Sequence, residues 1–197
     1  MRYPNGKEYK PTKINNIDNK KHYNLKDNAS NRGMLLEEDI SSSCEFYNQQ
    51  GLCLIYKRAT PIKVVKMDNV NKAKITEAYF NSKSTTDYNG LYRGKYLDFE
   101  AKETINKTSF SFHNIRPQQI THLDRVDKLN GLAFFVIRMK AHNQTFLIKY
   151  KDIQSQLNSS KKSVTYEYLL EKGIIIQESY SPRLLILDAI DKAFFEN

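Results

Sequence analysis

The stretch that decides the predicted fold is TTDYNGLYRGKYLDFEAK, residues 85–102. Side chains on a strand alternate between its two faces, so Glu100 and Lys102 project to the same side. The residues that alternate with them are apolar, which predicts that the opposite face packs into the core. The residues of that apolar face are Leu97, Phe99 and Ala101. One strand is thus predicted to separate a core face from a face that carries a carboxylate and an amine.

A tight turn is predicted at residues 93–94, because a glycine within a short polar break is the usual signal for a two-residue hairpin loop. That loop would place Asp87 opposite Glu100 and Thr85 opposite Lys102. Directly opposed residues have Cβ atoms about 4.5–5.5 Å apart, where like charges are destabilising unless something neutralises them. A divalent cation would neutralise this carboxylate pair, whereas a three-residue loop would shift the register.

Carboxylate oxygens are hard ligands that suit Mg²⁺, which takes one or two protein carboxylates and leaves room for waters and a substrate phosphate. A lysine beside such an ion can stabilise charge that develops on the phosphate or hold the attacking water. The residues by themselves therefore favour a metal-dependent nuclease site. The alternative is a surface hairpin with scattered charge, because a loose Asp and Glu-x-Lys pattern also occurs by chance.

Two longer runs in this region, STTDYNG at residues 84–90 and DFEAKET at residues 98–104, are more specific than that pattern. Shorter runs of the same kind extend over nearly the whole chain: RYPNG at 2–6, NRGM at 31–34, QI at 119–120 and PR at 182–183. On these motifs the sequence resembles the RecU family of Holliday junction resolvases, within the restriction-endonuclease-like nuclease superfamily. Thr86 departs from the superfamily pattern, in which a proline often precedes the aspartate, but RecU-like sequences share that threonine.

The resemblance implies an Mg²⁺ site, with Mn²⁺ as a substitute ion, held by Asp87 and Glu100. Thr85 and Gln119 would complete the coordination, and Lys102 would stabilise the transition state. The implied catalytic residues are thus Lys102, Asp87 and Glu100. The implied activity is that of a crossover junction endodeoxyribonuclease, which hydrolyses phosphodiester bonds.

The charge of the chain is concentrated in two segments. The formal net charge is +9, and residues 1–30 carry seven basic and three acidic groups while residues 56–84 carry seven basic and two acidic groups. These two segments account for the entire excess, which indicates two electropositive surfaces for a polyanion such as nucleic acid. The alternative is that basic tails only aid solubility.

A chain of 197 residues is long enough for one well-buried core. We predict a flexible basic arm at residues 1–30, a nuclease domain at residues 31–197 and, within it, a basic stalk insertion at residues 57–84. The arm has too few aliphatic residues to fold alone. The predicted fold is α/β and restriction-endonuclease-like, with a mixed central sheet flanked by helices and a protruding stalk.

In RecU-like proteins the position of this insertion is a stalk that enters the centre of the four-way junction. Tyr79 and Phe80, near the end of the insertion, are expected either to stack or wedge there or to pack in the core. Arg32, which precedes the first helix, is expected to meet DNA phosphate. The expected DNA-binding residues are Arg32, Lys57, Arg58, Lys63, Lys66, Lys72, Lys74, Tyr79 and Phe80.

Apolar spacing predicts the other elements of the domain. Helices are expected to begin after Asn31, at Pro117 and at Ser181-Pro182, and strands are expected at residues 52–56, 132–138 and 145–150. The first of these strands is expected to lie centrally in the sheet. His113 and His122 form no recognisable metal spacing and are expected to be surface or structural residues. The resemblance makes Glu37, on the first helix, a weak further candidate for the edge of the active site.

Some classes of function find no support in the sequence. The apolar runs are far shorter than a membrane span and the amino terminus has no apolar signal core, so we expect a cytoplasmic protein with no membrane partner. Cys44 and Cys53 are too few for a disulfide framework or a zinc clip. No glycine-rich phosphate loop of the Gly-x-x-x-x-Gly-Lys kind is present, so ATP use is unsupported.

The implied substrate is four-way junction DNA in homologous recombination and DNA repair. Two symmetric nicks would come from a C2 homodimer, which presents two related sites. The resemblance also implies RecA and the RuvAB branch-migration proteins as partners. Two alternatives stay open, which are a site-specific duplex DNA endonuclease of the same superfamily and a non-catalytic DNA-binding accessory protein of recombination.

Overall fold

A six-stranded mixed sheet forms the centre of the computed structural model, which describes residues 34–70, 74–80 and 85–196. The strands are β1 (Leu54–Lys57), β2 (Ile62–Met67), β3 (Ile75–Phe80), β4 (Tyr88–Tyr92), β5 (Lys95–Thr104), β6 (Ser109–Ser111), β7 (Leu132–Met139), β8 (Gln144–Lys149), β9 (Ser163–Thr165) and β10 (Ile174–Ile176). The helices are α1 (Met34–Gln49), α2 (Pro117–Lys128), α3 (Tyr150–Asn158), α4 (Tyr166–Lys172) and α5 (Ile186–Phe194). The predicted arm at residues 1–30, Arg32 and Lys72 lie outside the described residues.

The strand order of the central sheet is β1-β4-β5-β7-β8-β10. Only β5 and β7 run parallel, and the chain crosses between them through α2, as a parallel pair requires a crossover connection. All other neighbours in this sheet are antiparallel. The predicted mixed α/β sheet flanked by helices is therefore confirmed.

Each face of the sheet carries its own core. The first lies under α1 and α5 and includes Leu36, Phe99 and Ile190. The second lies under α2 and α3 and includes Leu123 and Phe135. The apolar face of β5 belongs to the first core, as alternation predicted. The polar face of β5 is also covered, because it lies on the side of the second core beneath α2.

Three aromatic rings tie the centre of the sheet together across β4, β5 and β7. Tyr88 stacks on Phe99 with ring centroids 4.9 Å apart, and Phe99 stacks on Phe134 with centroids 4.7 Å apart. All three side chains are fully buried. Such cross-strand aromatic pairs stabilise a sheet beyond the area they bury, so the predicted hairpin is anchored to the parallel pair.

The predicted two-residue turn is confirmed. Arg93 and Gly94 both have positive φ angles, 48° and 73°, as the twist of a two-residue hairpin requires. The ladder pairs Tyr92 with Lys95 and continues to the pair of Tyr88 and Phe99. Asp87 is the first residue beyond this ladder.

Two sequence expectations about the elements are wrong. The strand β1 lies at the edge of the sheet and not in its centre, since within the described sheet it pairs only with β4. One of its faces is also open, because Leu54 and Tyr56 are each more than half exposed while Ile55 is buried. The last helix begins at Ile186 and not at Ser181-Pro182. The preceding residues instead pair with one another, with a bridge between Glu178 and Leu184 that keeps Pro182 out of the helix.

The predicted stalk region contains a two-stranded ribbon of β2 and β3 that is separate from the central sheet. Every side chain of the ribbon except that of Glu77 is exposed. Tyr79 and Phe80 are 61% and 80% exposed, so the expectation that they might pack in the core is wrong. The boundaries of arm, domain and stalk stay predictions. No helix within the described ranges has the length and apolarity needed to cross a membrane.

Candidate active site

The candidate site is assembled by β5, the start of α2 and the residues just before β4. Alternation along β5 places Glu100 and Lys102 on one face, and α2 packs over that face. Pro117 occupies the first turn of α2, where the missing N–H of proline does no harm, and this fixes the helix start beside β5. Gln119, two residues later, is thereby brought to Glu100.

Glu100 is the centre of this site and is fully buried. Its Oε1 atom accepts hydrogen bonds from Lys102 Nζ at 2.5 Å and from Gln119 Nε2. Its Oε2 atom is buried and has no hydrogen-bond partner among the described residues. A buried carboxyl oxygen without a partner costs free energy, so a cation, or a proton shared with the neighbouring Asp87 carboxyl group, would stabilise it.

Asp87 lies beside Glu100 although the strand ladder stops one pair earlier. Its Oδ2 atom accepts a hydrogen bond from the backbone N–H of Ala101 at 3.0 Å, and its carboxyl group contacts that of Glu100. The predicted opposition of Asp87 and Glu100 is thus met by the Asp87 side chain and not by a backbone pair. Thr85 is half-buried beyond the end of the ladder, which does not reach the predicted pair of Thr85 and Lys102.

The electrostatics of the pair follow from its burial. Burial first, and then the neighbouring Asp87 carboxylate, raise the pKa of Glu100 to about 8, although Lys102 acts in the opposite direction. A carboxyl group in this state gains a proton unless a cation compensates its charge. The orphaned Oε2 atom, the second carboxylate and the raised pKa together fit a divalent cation with oxygen ligands. The described part of the chain holds no cluster of three or more His, Cys, Asp or Glu side chains suited to a metal, so any ion would rest on two carboxylates.

Gln119 reaches the site in a defined orientation. Its Oε1 atom accepts the backbone N–H of Arg116 at 2.8 Å, in a capping box at the start of α2, so its Nε2 atom faces Glu100. In this conformation Gln119 acts as a donor to the carboxyl group. Ligation of a metal through Oε1 would require the bond to Arg116 to be given up.

A second buried carboxyl group, which sequence analysis missed, lies next to the site. Asp98 is fully buried, two residues before Glu100 on the same face of β5. Four side chains donate to it: Arg58 Nη2 at 2.5 Å, Tyr96 Oη at 2.7 Å, His122 Nε2 at 2.8 Å and Thr86 Oγ1. Two sequence signals could have revealed this group, because Asp98 has the parity of Glu100 and His122 follows Gln119 by one helical turn.

His122 is consequently a half-buried partner of Asp98 and not a surface residue. Glu37, the weak further candidate, forms an ion pair with Lys57 at 2.6 Å. Within the described residues, the structure shows no hydrogen bond that joins Glu37 to Asp87 or Glu100.

The expected DNA-binding residues fall into two groups. Arg58 belongs to the site, because it contacts Asp98 and its backbone N–H donates to Asp87 O at 2.7 Å. Lys57 ends β1. The residues on or beside the ribbon, all exposed, are Lys63, Lys66, Lys74, Tyr79 and Phe80. Among these, Lys66 pairs with Glu77 at 3.0 Å.

The fold is a mixed α/β sheet flanked by helices, and it brings two carboxyl groups and a lysine together at one place. A family model described as "RecU: Recombination protein U" matches residues 31–192. The Holliday junction resolvase RecU of Staphylococcus epidermidis is 41% identical over 100% of this chain and 97% of that protein. The protein of the same description from Oceanobacillus iheyensis is 41% identical over 99% of this chain and 100% of that protein. The chain therefore belongs to the RecU family.

A further relative matches over nearly the full length of both chains. The Holliday junction resolvase RecU of Geobacillus thermodenitrificans is 37% identical over 99% of this chain and 98% of that protein. A solved structure of Hjc, a Holliday junction resolvase from Archaeoglobus fulgidus, matches 73% of this chain and 95% of that chain with a TM-score of 0.43 and 11% identity.

Proposed function

We propose that this protein is a magnesium-dependent endonuclease that resolves four-way DNA junctions by paired, symmetric nicks in recombination and repair. Membership of the RecU family and relatives named Holliday junction resolvase over their full length support the substrate. The observation that carries the chemistry is the buried Glu100 carboxyl group, held between Asp87 and Lys102, with one oxygen that has no partner among the described residues.

Asp87 and Glu100 would hold Mg²⁺ directly, with Thr85 beside them, and Mn²⁺ has the same preference for oxygen ligands. The ion, when bound, supplies the positive charge that polarises the scissile phosphate and lowers the pKa of water. Gln119 keeps Glu100 in place through its amide N–H group. Its own ligation of the ion would need the amide to leave Arg116.

Lys102 is the residue of the chain that would act on the reacting phosphate. Its ammonium group is 2.5 Å from Glu100 Oε1 and its side chain is about one-fifth exposed, so it reaches from the buried carboxyl group toward solvent. During hydrolysis a water oxygen bonds to phosphorus, one P–O ester bond breaks, and negative charge grows on the phosphate oxygens. A lysine fixed at this point stabilises that charge without reorganisation.

Paired nicks require two sites related by symmetry, so a C2 homodimer is part of the proposal. The exposed ribbon, with Tyr79 and Phe80 on β3, is the proposed stalk that enters the junction. RecA and the RuvAB proteins are proposed as partners on the resemblance alone. A cytoplasmic location follows for a protein that acts on chromosomal junctions.

The proposal is tested by nicking of an end-labelled four-way junction and of a linear duplex of matched sequence, each with Mg²⁺ or with EDTA. Wild-type protein is expected to cut the junction at symmetric positions only with Mg²⁺, and Lys102→Ala is expected to lose this cutting. Equal cutting of both substrates would instead favour a duplex endonuclease. Junction binding without any cutting would favour a DNA-binding accessory protein.

A further inference from the structure

The buried Asp98 carboxyl group has a complete set of donors. A buried charge is tolerated only when it is paired and hydrogen-bonded, and this carboxyl group receives bonds from Arg58, Tyr96, His122 and Thr86. Burial and the bond to Asp98 raise the pKa of Tyr96, which keeps its hydroxyl group a donor. Asp98 therefore needs no further partner and is a fixed point in the fold.

Asp98 is connected to the proposed metal site through β5, through α2 and through the backbone of Arg58. Asp98 precedes Glu100 by two residues on β5, which separates their Cα atoms by about 6.5–7 Å. His122 lies one turn after Gln119 on α2. Arg58 donates its backbone N–H to Asp87 O at 2.7 Å. The donors around Asp98 thus neighbour the residues that would hold the metal.

Arg58 is the member of this cluster that offers unused donors. A guanidinium group has five N–H donors in a planar fork, and the bonds to Asp98 and Tyr96 use only those on Nη2. Its Nε–H group is buried and has no partner among the described residues, so the donors that remain for a ligand are those on Nη1. The Arg58 side chain is 27% exposed while Asp98 is fully buried, so the cation, and not the anion, faces solvent.

We propose that Arg58 binds the DNA phosphate next to the scissile phosphate, and that Asp98 is the positioning residue that fixes its guanidinium group. This rests on the proposed function, which places the scissile phosphate at Asp87 and Glu100. A DNA strand carries a phosphate at every nucleotide, so a cation beside the metal site meets the adjacent one. A guanidinium group can hold Asp98 through Nη2 and a phosphate oxygen through Nη1 at the same time, whereas the single amine of a lysine cannot keep both contacts in this geometry.

Asp98 acts in this proposal only through Arg58. It touches neither the DNA nor the metal, because it is buried and its oxygens are already engaged. Its contribution is to hold Arg58 in one orientation before DNA arrives, so that the strand is set in register with the metal. A displacement of about 1 Å at a reacting phosphate is enough to cost roughly a hundredfold in rate.

The test uses the full-length protein in two assays. The first is junction affinity in EDTA over a series of salt concentrations, and the second is single-turnover nicking with Mg²⁺ at saturating protein. Arg58→Ala is expected to lower the slope of log affinity against log salt by about one, the value for one phosphate contact, and to slow nicking by about a hundredfold. Arg58→Lys is expected to keep the slope but to stay at least tenfold slow in nicking.

Asp98→Asn is expected to keep junction affinity within twofold and the salt slope unchanged, while nicking slows by about tenfold. The decisive comparison is the double variant Asp98→Asn with Arg58→Ala, which is expected to nick no more slowly than Arg58→Ala alone, because Asp98 acts through Arg58. If Asp98 had only a structural role, Asp98→Asn would slow nicking by the same factor in the wild-type protein and in Arg58→Ala. The matched charge control is Lys128→Ala, which removes an exposed cation of α2 paired with Asp124.

Several outcomes overturn the proposal. Wild-type nicking by Arg58→Ala or by Arg58→Lys does so, and so does an unchanged salt slope in Arg58→Ala. If Asp98→Asn does not fold, the two Arg58 variants decide the result alone. If wild-type protein does not nick at all, the proposed function fails, and the salt slope in EDTA still shows whether Arg58 meets a phosphate.

Discussion

Two carboxyl groups on one face of β5, only two residues apart, have opposite environments. Asp98 and Glu100 are both fully buried, and α2 supplies one donor to each, His122 to the first and Gln119 to the second. The charge of Asp98 is compensated by hydrogen-bond donors that the protein itself supplies. Glu100 has an oxygen without a hydrogen-bond partner in the described part of the chain, faces a second carboxylate and has its pKa raised to about 8. The difference indicates that burial alone does not distinguish the two carboxyl groups, and that incomplete compensation of its charge makes Glu100 the better candidate for a metal site.

The largest effect that separates the two groups is expected in catalysis. Glu100→Gln preserves the shape of the side chain and its bonds to Lys102 and Gln119, but removes the charge that would hold Mg²⁺. We expect nicking of a four-way junction to fall by about a hundredfold to a thousandfold, the range found when an essential electrostatic group is lost. The measurement is single-turnover nicking at saturating Mg²⁺. Nicking within tenfold of wild type would remove Glu100 from the proposed site.

The pH dependence of stability gives the next contrast. The pKa of Glu100 is about 8 in the folded protein and about 4.5 when unfolded, so between these values the folded state keeps a proton that the unfolded state has lost. The free energy of unfolding in EDTA should therefore fall as pH rises through this window, by roughly 4 kcal/mol. Urea unfolding at pH 5, 7 and 9 measures this.

The control for that prediction is Glu100→Gln, whose unfolding free energy should lack this contribution. Saturating Mg²⁺ should restore stability to the wild-type protein most strongly at high pH, where Glu100 is ionised, and should leave the variant unchanged. An equal pH dependence in both proteins would mean that Glu100 does not carry the raised pKa.

Asp98→Ala removes the other of the two buried carboxyl groups on β5. It leaves Arg58 half-buried without its counter-ion, and removal of one partner from a buried pair costs about 3 kcal/mol. Urea unfolding of Asp98→Ala at pH 7 in EDTA measures the loss, with Glu100→Gln as the comparison that should lose no stability. A loss below about 1 kcal/mol would show that the four donors find other partners.

The smallest effects should come from the two donors on α2. Gln119→Leu removes the amide N–H that holds Glu100 in place. It is expected to lower Mg²⁺ affinity by about tenfold, roughly the value of a hydrogen bond to a charged group. His122→Leu removes a donor from Asp98 and should lower the free energy of unfolding by about 1 kcal/mol while Mg²⁺ affinity stays within twofold. Calorimetric titration of Mg²⁺ without DNA distinguishes the two variants.

The sequence predicted the hairpin because its information is local. Alternation along β5 separated Glu100 from Phe99, and the glycine at position 94 set the register that brings Asp87 near Glu100. Asp98 was missed although its parity was equally plain. Its donors Arg58 and His122 lie 40 and 24 residues away in the chain, and only the complete topology brings them together.

The errors in the elements have a similar cause. A short apolar run such as residues 52–56 does not show whether one strand or two will pair with it, so the edge position of β1 could not be predicted. Ser181-Pro182 carries a valid helix-start signal, but the residues around it are satisfied by pairing between Glu178 and Leu184. In both cases long-range contacts decided between conformations that local patterns allow equally.

The ribbon of β2 and β3 leaves the sheet at an informative place. Arg58 lies four residues before β2 and Asp87 lies seven residues after the end of β3, and the backbone N–H of Arg58 donates to Asp87 O. One hydrogen bond thus joins the two sides of the chain segment that contains the ribbon. It does so between a residue proposed to hold the metal and a residue proposed to hold the neighbouring phosphate.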